Sequence, residues 1–143
     1  MADLYETDIL RGSEQQGDLL RRHARGERVN ALIDWENVAE EIESVGREQL
    51  HAVESLLVQA LVHMLKAEAW PNSRDAPGWR AEDMRFRGDA RRRYVRSMRQ
   101  KLDVEAHYRD ALRAMPEVID DQPPLPVPQA CALTLEALLF LAG

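Results

Sequence analysis

Apolar residues recur at three- and four-residue steps through the middle of the chain, and this spacing predicts one long helix from Trp35 to about Ala69. The apolar positions are Val38, Ile42, Val45, Val53, Leu56, Leu57, Ala60, Met64 and Ala67. No proline interrupts the segment, and Asp34 is placed to cap its first turn. At 1.5 Å per residue such a helix measures about 50 Å. Gly46 weakens it and predicts either a kink or the close approach of another helix.

Shorter helices are predicted on both sides of the long one. Ser13, with Gln16 three residues later, matches the capping-box spacing and predicts a first helix that Gly26 ends. Trp70-Pro71 ends the long helix, and a third helix follows from about Trp79. The apolar stripe of this third helix consists of Trp79, Phe86, Ala90, Tyr94, Met98 and Leu102.

The last third of the chain predicts two more helices joined by a proline-rich segment. Asp103 is a candidate cap for a fourth helix, although helices three and four can also be interpreted as one. Residues 117–130 contain four prolines and predict an extended arm, and a last helix starts near Thr134. No alternating run predicts a strand. We therefore expect an all-α fold with a single domain over residues 1–143: an up-and-down helical bundle built on one long central helix, with a Pro-rich arm and a short C-terminal helix.

The charge is unevenly distributed along the 143 residues. The net charge of −6 divides into −7 over residues 1–70, +5 over residues 71–115 and −4 over residues 116–143. Two explanations stay open: acidic and basic helices neutralise each other, or the basic segment binds an external polyanion. Residues 1–30 lack the apolar stretch of a signal peptide, and the most apolar run, residues 131–143, is too short to span a bilayer. These features predict a cytoplasmic protein without membrane association.

Several segments resemble one bacterial family in order and spacing. They are YETD (5–8), LLR (19–21), DWENVAEEIESVG (34–46), LVHMLKAEAWP (61–71), GWR (78–80) and YRDAL (108–112). Together they resemble the uncharacterised family called "domain of unknown function" number twenty-nine. The chain departs from that pattern in ILRG (9–12), in a shorter linker between Trp79 and Tyr108, and in VPQACA (127–132). The resemblance implies an all-α fold and no particular activity.

The acidic start of the long helix raises the question of a carboxylate site for a metal or for acid–base chemistry. Most of its carboxylates have an ordinary helical explanation: Asp34 caps, Glu36 lies in the first turn, where the helix dipole favours negative charge, and Glu40 and Glu43 form a solvated face. Asn37 and Glu41 remain on the side that borders the core. There we expect arginines of the third helix, Arg80 or Arg87, as partners.

Two histidines on the long helix are candidates for chemistry. His63 lies at the edge of the apolar stripe with Lys66 one turn away, and Trp79 and Arg80 belong to the neighbouring family segment. His63 is interpreted either as a hydrogen-bonded histidine at a helix interface or as a ligand or general base. Glu48 and His51 have the spacing found in di-iron bundles, which also require a second such pair and two further glutamates. None of the other three histidines has a glutamate three residues before it. We expect neither a metal nor a cofactor.

The segment from Arg85 to Lys101 contains seven arginines, one lysine and a single acid. The candidate polyanion contacts are Arg91, Arg92, Arg93 and Arg96, although no recognised nucleic-acid motif accompanies them. Cys131, the single cysteine, has no activating neighbour and is expected to pack as a small apolar side chain. The prediction is a non-enzymatic helical interaction or regulatory domain that self-associates through the long helix or binds another protein. Nucleic-acid binding through the Arg-rich helix is the first alternative, and a hydrolase or metal site near His63 is the second.

Overall fold

The computed structural model describes residues 8–141 and confirms an all-helical fold. Over this range no strand forms, and the sole β feature is an isolated bridge between Ile119 and Gln122. Two short 3-10 turns, residues 30–32 and 96–98, connect longer helices. Those helices are α1 (Ile9–Ala24), α2 (Trp35–Ala69), α3 (Ala76–Arg93), α4 (Val104–Arg113) and α5 (Leu135–Phe140). The long helix has the bounds that the sequence predicts.

The chain divides into two compact units, residues 1–47 and 48–143, and the boundary falls inside α2. In the first unit, four apolar side chains form a small core: Leu19, Val29, Ile33 and Val38. Gln16 is buried beside them, and its side-chain oxygen accepts a hydrogen bond of 2.7 Å from the backbone N–H of Asp34. This bond ties α1 to the start of α2. The single domain over residues 1–143 stays a prediction.

The start of α1 differs from its prediction. Asp8 caps the helix by accepting a hydrogen bond from the backbone N–H of Arg11, and Ser13 lies inside the helix. Asp8 is as good a cap as Ser13 and stands earlier in the chain, so the helix gains an additional turn. Gln16 then serves as a buried tertiary contact instead of the capping-box partner. The predicted end is confirmed, because Gly26 has a φ of 91°, which suits glycine.

The second unit has the larger core. Val53, Leu57, Leu61 and Leu65 of α2 are fully buried and repeat at four-residue steps. They pack with buried residues of the later elements, namely Ala90, Met98, Leu102, Tyr108, Ala111, Leu135, Leu138 and Leu139. Most of the predicted apolar stripe of α2 therefore does face a core.

In the first third of α2, part of the predicted apolar stripe is exposed and does not face a core. Ile42 is 70% exposed and Val45 is 59% exposed, although both belong to the predicted apolar face. Gly46 is also not a point of close approach, since a Cβ placed there meets no atom of the described part of the chain within 4 Å. The helix continues through it to Ala69. The core of the first unit includes Val38 and leaves Ile42 and Val45 exposed.

Helices three and four are separate elements. α3 ends at Arg93, because Tyr94 adopts an extended conformation with φ −68° and ψ 135°. Asp103 caps α4 by accepting from the backbone N–H of Ala106 at 3.1 Å, as the sequence predicts. α3 starts at Ala76, three residues before the predicted position, with a proline in its first turn. Met98 and Leu102 were predicted on the stripe of the third helix; they are buried, but they lie beyond the end of α3.

The proline-rich arm is fixed to the helices of the second unit by hydrogen bonds. The indole N–H of Trp70 donates to the carbonyl of Gln122 at 2.9 Å, and the backbone N–H of Leu125 donates to the carbonyl of Ala69 at 2.9 Å. Further along, the hydroxyl of Tyr108 donates to the carbonyl of Pro128 at 2.6 Å. Thr134 then caps α5, as predicted.

Candidate functional site

Asn37 and Glu41, the two polar residues predicted to border the core, lie in the first unit. The side-chain amide of Asn37 donates to Asp34 at 2.6 Å, and its backbone N–H donates to the same carboxylate at 3.2 Å. Asn37 thus reinforces the cap of α2. Glu41 is half-buried, and its carboxylate forms no ion pair within residues 8–141. Neither residue is part of a cluster of carboxylates.

His63 is held at the contact between α2 and α3. Its Nδ1 lies 2.7 Å from the carbonyl oxygen of Gln59, and its ring packs against Phe86 with 5.3 Å between the centroids. Because a carbonyl accepts hydrogen bonds, Nδ1 carries the proton, and Nε2 has the lone pair in the neutral ring. This geometry matches the interpretation of a hydrogen-bonded interface histidine.

Lys66 and Trp79 meet one turn further along the same contact. The ammonium of Lys66 lies 5.7 Å from the centre of the Trp79 ring, within the range of a cation–π interaction. Both side chains are half-buried. Arg80, the next residue, is exposed and forms no ion pair within the described part of the chain. The structure therefore brings Lys66 and Trp79 of the predicted cluster together, and His63 lies one turn before Lys66 on α2.

Arg87 has a partner that the sequence analysis missed. Its guanidinium forms two hydrogen bonds with Asp83, from Nε at 2.7 Å and from Nη2 at 3.0 Å. The two side chains are 9% and 10% exposed, so the pair is buried. Nη2 also lies 3.4 Å from the sulfur of Met64. The predicted partner of Arg87, Glu41, belongs to the first unit, whereas Asp83 stands one turn earlier in α3. The spacing of four residues was the available signal.

Burial raises the pKa of Asp83 above its usual range, although the hydrogen bonds and charge of Arg87 act in the opposite direction. Partial burial also raises the pKa of Glu68, and the nearby charge of Asp83 adds to the rise. The carboxyl groups of Asp83 and Glu68 thus resist ionisation, because water is partly excluded and their charges repel each other.

A second group of titratable side chains joins α2 to α4. One oxygen of Glu54 lies 3.2 Å from Nδ1 of His51, and the other lies 3.7 Å from Nε2 of His107. His107 is buried, and its Nε2 has no hydrogen-bond partner among the described residues. Glu48 of the predicted di-iron spacing is not part of this group. Within residues 8–141, no set of three or more His, Cys, Asp or Glu side chains is arranged to hold a metal ion.

The thiol of Cys131 is half-buried and does not resemble a nucleophile. Burial raises its pKa, and the charges of Glu105 and Glu68 add to the effect. Its backbone N–H donates to the carboxylate of Glu105 at 3.2 Å. A protonated, partly buried thiol agrees with the predicted packing role. Burial raises the pKa of Tyr108 as well.

The Arg-rich segment is divided between paired and unpaired side chains. Its ion pairs are formed with residues of α3 itself and with α5: Arg85 with Glu82 and Asp89, Arg87 with Asp83, Arg92 with Asp89, and Arg99 with Glu136. Arg91, Arg93 and Arg96 are exposed and form no ion pair with the described residues. Neutralisation is therefore local and incomplete.

Three exposed apolar side chains of the first unit lie on α2. Trp35 is 46% exposed, and Ile42 and Val45 are more exposed still. We call these three residues the exposed α2 face. Glu41 and Ile42 also line a groove of about 170 Å³ with Val38 and with four residues of α1, namely Ser13, Gln16, Gly17 and Leu20. Glu41 is the single charged residue of this lining.

These features define an all-helical domain with an exposed apolar helix face and an arginine-rich segment. No helix among the described residues combines the length and apolarity needed to cross a bilayer. The chain belongs to the family "Domain of unknown function DUF29", whose sequence model matches residues 4–141, so the predicted family membership is confirmed.

Comparison with other proteins finds a solved structure with a similar fold, and it indicates no activity. The crystal structure of an alpha-helical protein of unknown function from Rhodospirillum rubrum ATCC 11170, determined at 1.45 Å resolution, is similar with a TM-score of 0.70 and 26% identity. The match covers 98% of this chain and 91% of that chain. No curated protein matches the sequence. The Rhodospirillum rubrum protein thus shares the all-α architecture, and it is described as a protein of unknown function.

Proposed function

We propose that this chain is a non-enzymatic helical domain that binds another protein through the exposed α2 face. The observation that supports it is the exposure of Ile42 and Val45 on a helix whose later apolar residues, Val53, Leu57, Leu61 and Leu65, are fully buried. At 100° per residue, Trp35, Ile42 and Val45 occupy a sector of roughly 80°. Exposed apolar side chains that share one sector of a helix are typical of protein-binding surfaces.

The buried residue Val38 supports the same interpretation. It lies within the sector of the exposed α2 face and packs into the four-residue core of the first unit. The face therefore begins as core and continues as surface, because α1 and the turn after it cover only its first part. A partner that packs on Ile42 and Val45 extends this small core.

Site-specific photo-crosslinking in cells of the source organism tests the proposal. A benzophenone amino acid replaces Ile42, Val45 or, as the matched control, Glu40, which is exposed on the polar side of the same helix. We expect discrete protein adducts from positions 42 and 45 and none from position 40. Equal labelling at all three positions, or no adduct at 42 and 45, contradicts the proposal. Circular dichroism confirms that each variant is folded.

A second candidate function is nucleic-acid binding by Arg91, Arg93 and Arg96, which are exposed at and beyond the end of α3 and form no ion pair among the described residues. Three phosphate contacts give a slope of log K against log salt of about −2 to −3. We expect DNA or RNA binding at low salt that R91E/R93E/R96E abolishes. The control R85E/R92E/R99E changes arginines that already have carboxylate partners. Absence of binding at low salt excludes this function.

A further inference from the structure

The groove between α1 and α2 has the size of one large side chain. An apolar cavity of about 150 Å³ accepts a benzene ring, and the groove measures about 170 Å³. Leu20, Val38 and Ile42 supply its apolar walls, and Gly17 keeps the α1 side low. A leucine or phenylalanine side chain of a partner fits this space.

The exposed α2 face continues from the groove in helical steps. Val45 lies three residues beyond Ile42, nearly one turn along α2. A partner helix presents apolar side chains at the same spacing, every three or four residues, when it lies along such a row. The groove and Val45 together therefore match two successive anchors of an amphipathic helix.

The charges beside this surface select the partner. Residues 34–47 contain five carboxylates and one arginine. At 100° per residue, Glu41 lies on one side of the exposed α2 face, and Glu36 and Glu43 lie on the other. Arg47 pairs with Glu40 and reaches Glu43 at 3.9 Å, whereas Glu36 and Glu41 have no ion pair within residues 8–141. Complementarity requires lysine or arginine on both sides of the partner's apolar stripe.

The same charges disfavour pairing of this face with its own copy. In an antiparallel pair of α2 helices, the side of Glu41 meets the side of Glu41 in the second chain. In a parallel pair, it meets the side of Glu36 and Glu43. Both orientations place like charges together, which opposes association. Self-association through the long helix, as predicted from the sequence, is therefore the less favourable use of the exposed α2 face.

We infer that the groove and the exposed α2 face bind an amphipathic helix of another protein, with an apolar side chain every three or four residues and basic side chains on both flanks. This inference rests on the proposed function and gives it a partner of defined chemistry. The carboxylate of Glu41, inside the lining of the groove, receives one of the basic side chains.

Two synthetic 18-residue peptides test the inference against the full chain. They share the same leucine face, and one carries lysine on its flanks where the other carries glutamate. Fluorescence anisotropy is expected to show the lysine peptide binding at least tenfold more tightly than the glutamate peptide. We expect Ile42→Gln to weaken binding at least tenfold, and Glu41→Gln to weaken it several-fold. Asp18→Asn, which changes an exposed carboxylate outside the groove lining, leaves binding unchanged.

The results separate the inference from the function on which it rests. Equal binding of the two peptides overturns the inference. So does an unchanged affinity of the lysine peptide for the Ile42→Gln variant. The inference is also overturned if Asp18→Asn weakens binding as much as Glu41→Gln does. If the lysine peptide fails while crosslinks form at positions 42 and 45, the interaction function stands and its partner has another chemistry. An adduct of twice the chain mass identifies a second copy and also overturns the inference. Failure of both experiments removes the proposed function as well.

Discussion

The buried pair of Asp83 and Arg87 gives the sharpest test of the fold. Replacing Arg87 with methionine keeps much of the side-chain volume and removes the guanidinium. The carboxylate of Asp83 then loses both of its hydrogen bonds, at 2.7 and 3.0 Å, in a position where it is only 10% exposed. A buried charge without its partner is strongly destabilising.

The expected loss follows from this burial. Removing one member of a buried ion pair costs about 3–5 kcal/mol, and the lower end fits a carboxylate that keeps a tenth of its surface exposed. With a urea dependence of about 2 kcal/mol per molar, a loss of about 3 kcal/mol lowers the midpoint of unfolding by about 1.5 M. The matched control, Arg85→Met, removes the two surface ion pairs of Arg85 with Glu82 and Asp89 in the same helix and costs under about 1 kcal/mol.

The loss should also depend on pH. Burial already raises the pKa of Asp83 in the folded chain, and Arg87→Met raises it further. A folded-state pKa above the unfolded value means that ionised Asp83 costs stability above that pKa, and the cost disappears as pH falls through it. The difference between Arg87→Met and the parent chain is therefore largest at neutral pH and narrows towards pH 4.

Urea titration monitored by tryptophan fluorescence measures the effect in the second unit. A Trp35→Phe background removes the tryptophan of the first unit, so that the fluorescence of Trp70 and Trp79 reports the unfolding of the second unit. The double variant Asp83→Leu/Arg87→Met should recover most of the lost stability, since it leaves no stranded charge. A midpoint shift no larger than that of Arg85→Met, or a double variant as unstable as the single one, refutes the reasoning.

Three further outcomes are expected. Tyr108→Phe removes the hydroxyl that donates to the carbonyl of Pro128, so thermal unfolding should show a loss of about 1 kcal/mol and proteases should cut the arm faster; an unchanged cleavage rate contradicts the role of this bond. Asp121→Gly relieves a positive φ of 59° and creates the Asp-Gly pair favoured in such turns, so the free energy of unfolding should rise; a decrease contradicts the strain. Glu68→Gln should raise stability at pH 7, because the pKa of Glu68 is raised in the folded chain. This gain should vanish below pH 4.5, the usual pKa of the group, and a gain independent of pH argues against its ionisation as the cause.

The sequence predicted the helices more reliably than the tertiary contacts that their residues make. The bounds of α2 followed from the apolar spacing, from Asp34 as a cap and from Trp70-Pro71 as a stop, all of which are local. The start of α1 was wrong, because two adequate caps, Asp8 and Ser13, compete and local preference alone does not choose between them. For the candidate cluster, Lys66 and Trp79 could be selected from the sequence, but their cation–π contact could not.

The sequence by itself determined the all-α class, the long helix, the family and the position of the charged segments, because helix periodicity, caps and motifs are properties of neighbouring residues. The tertiary structure decided which apolar residues are covered and which charges are paired. Ile42 and Leu57 have equivalent places in the apolar pattern, yet one is exposed and the other is fully buried. Burial depends on what packs against a helix from distant parts of the chain, and an amphipathic pattern carries no information on whether that covering is present.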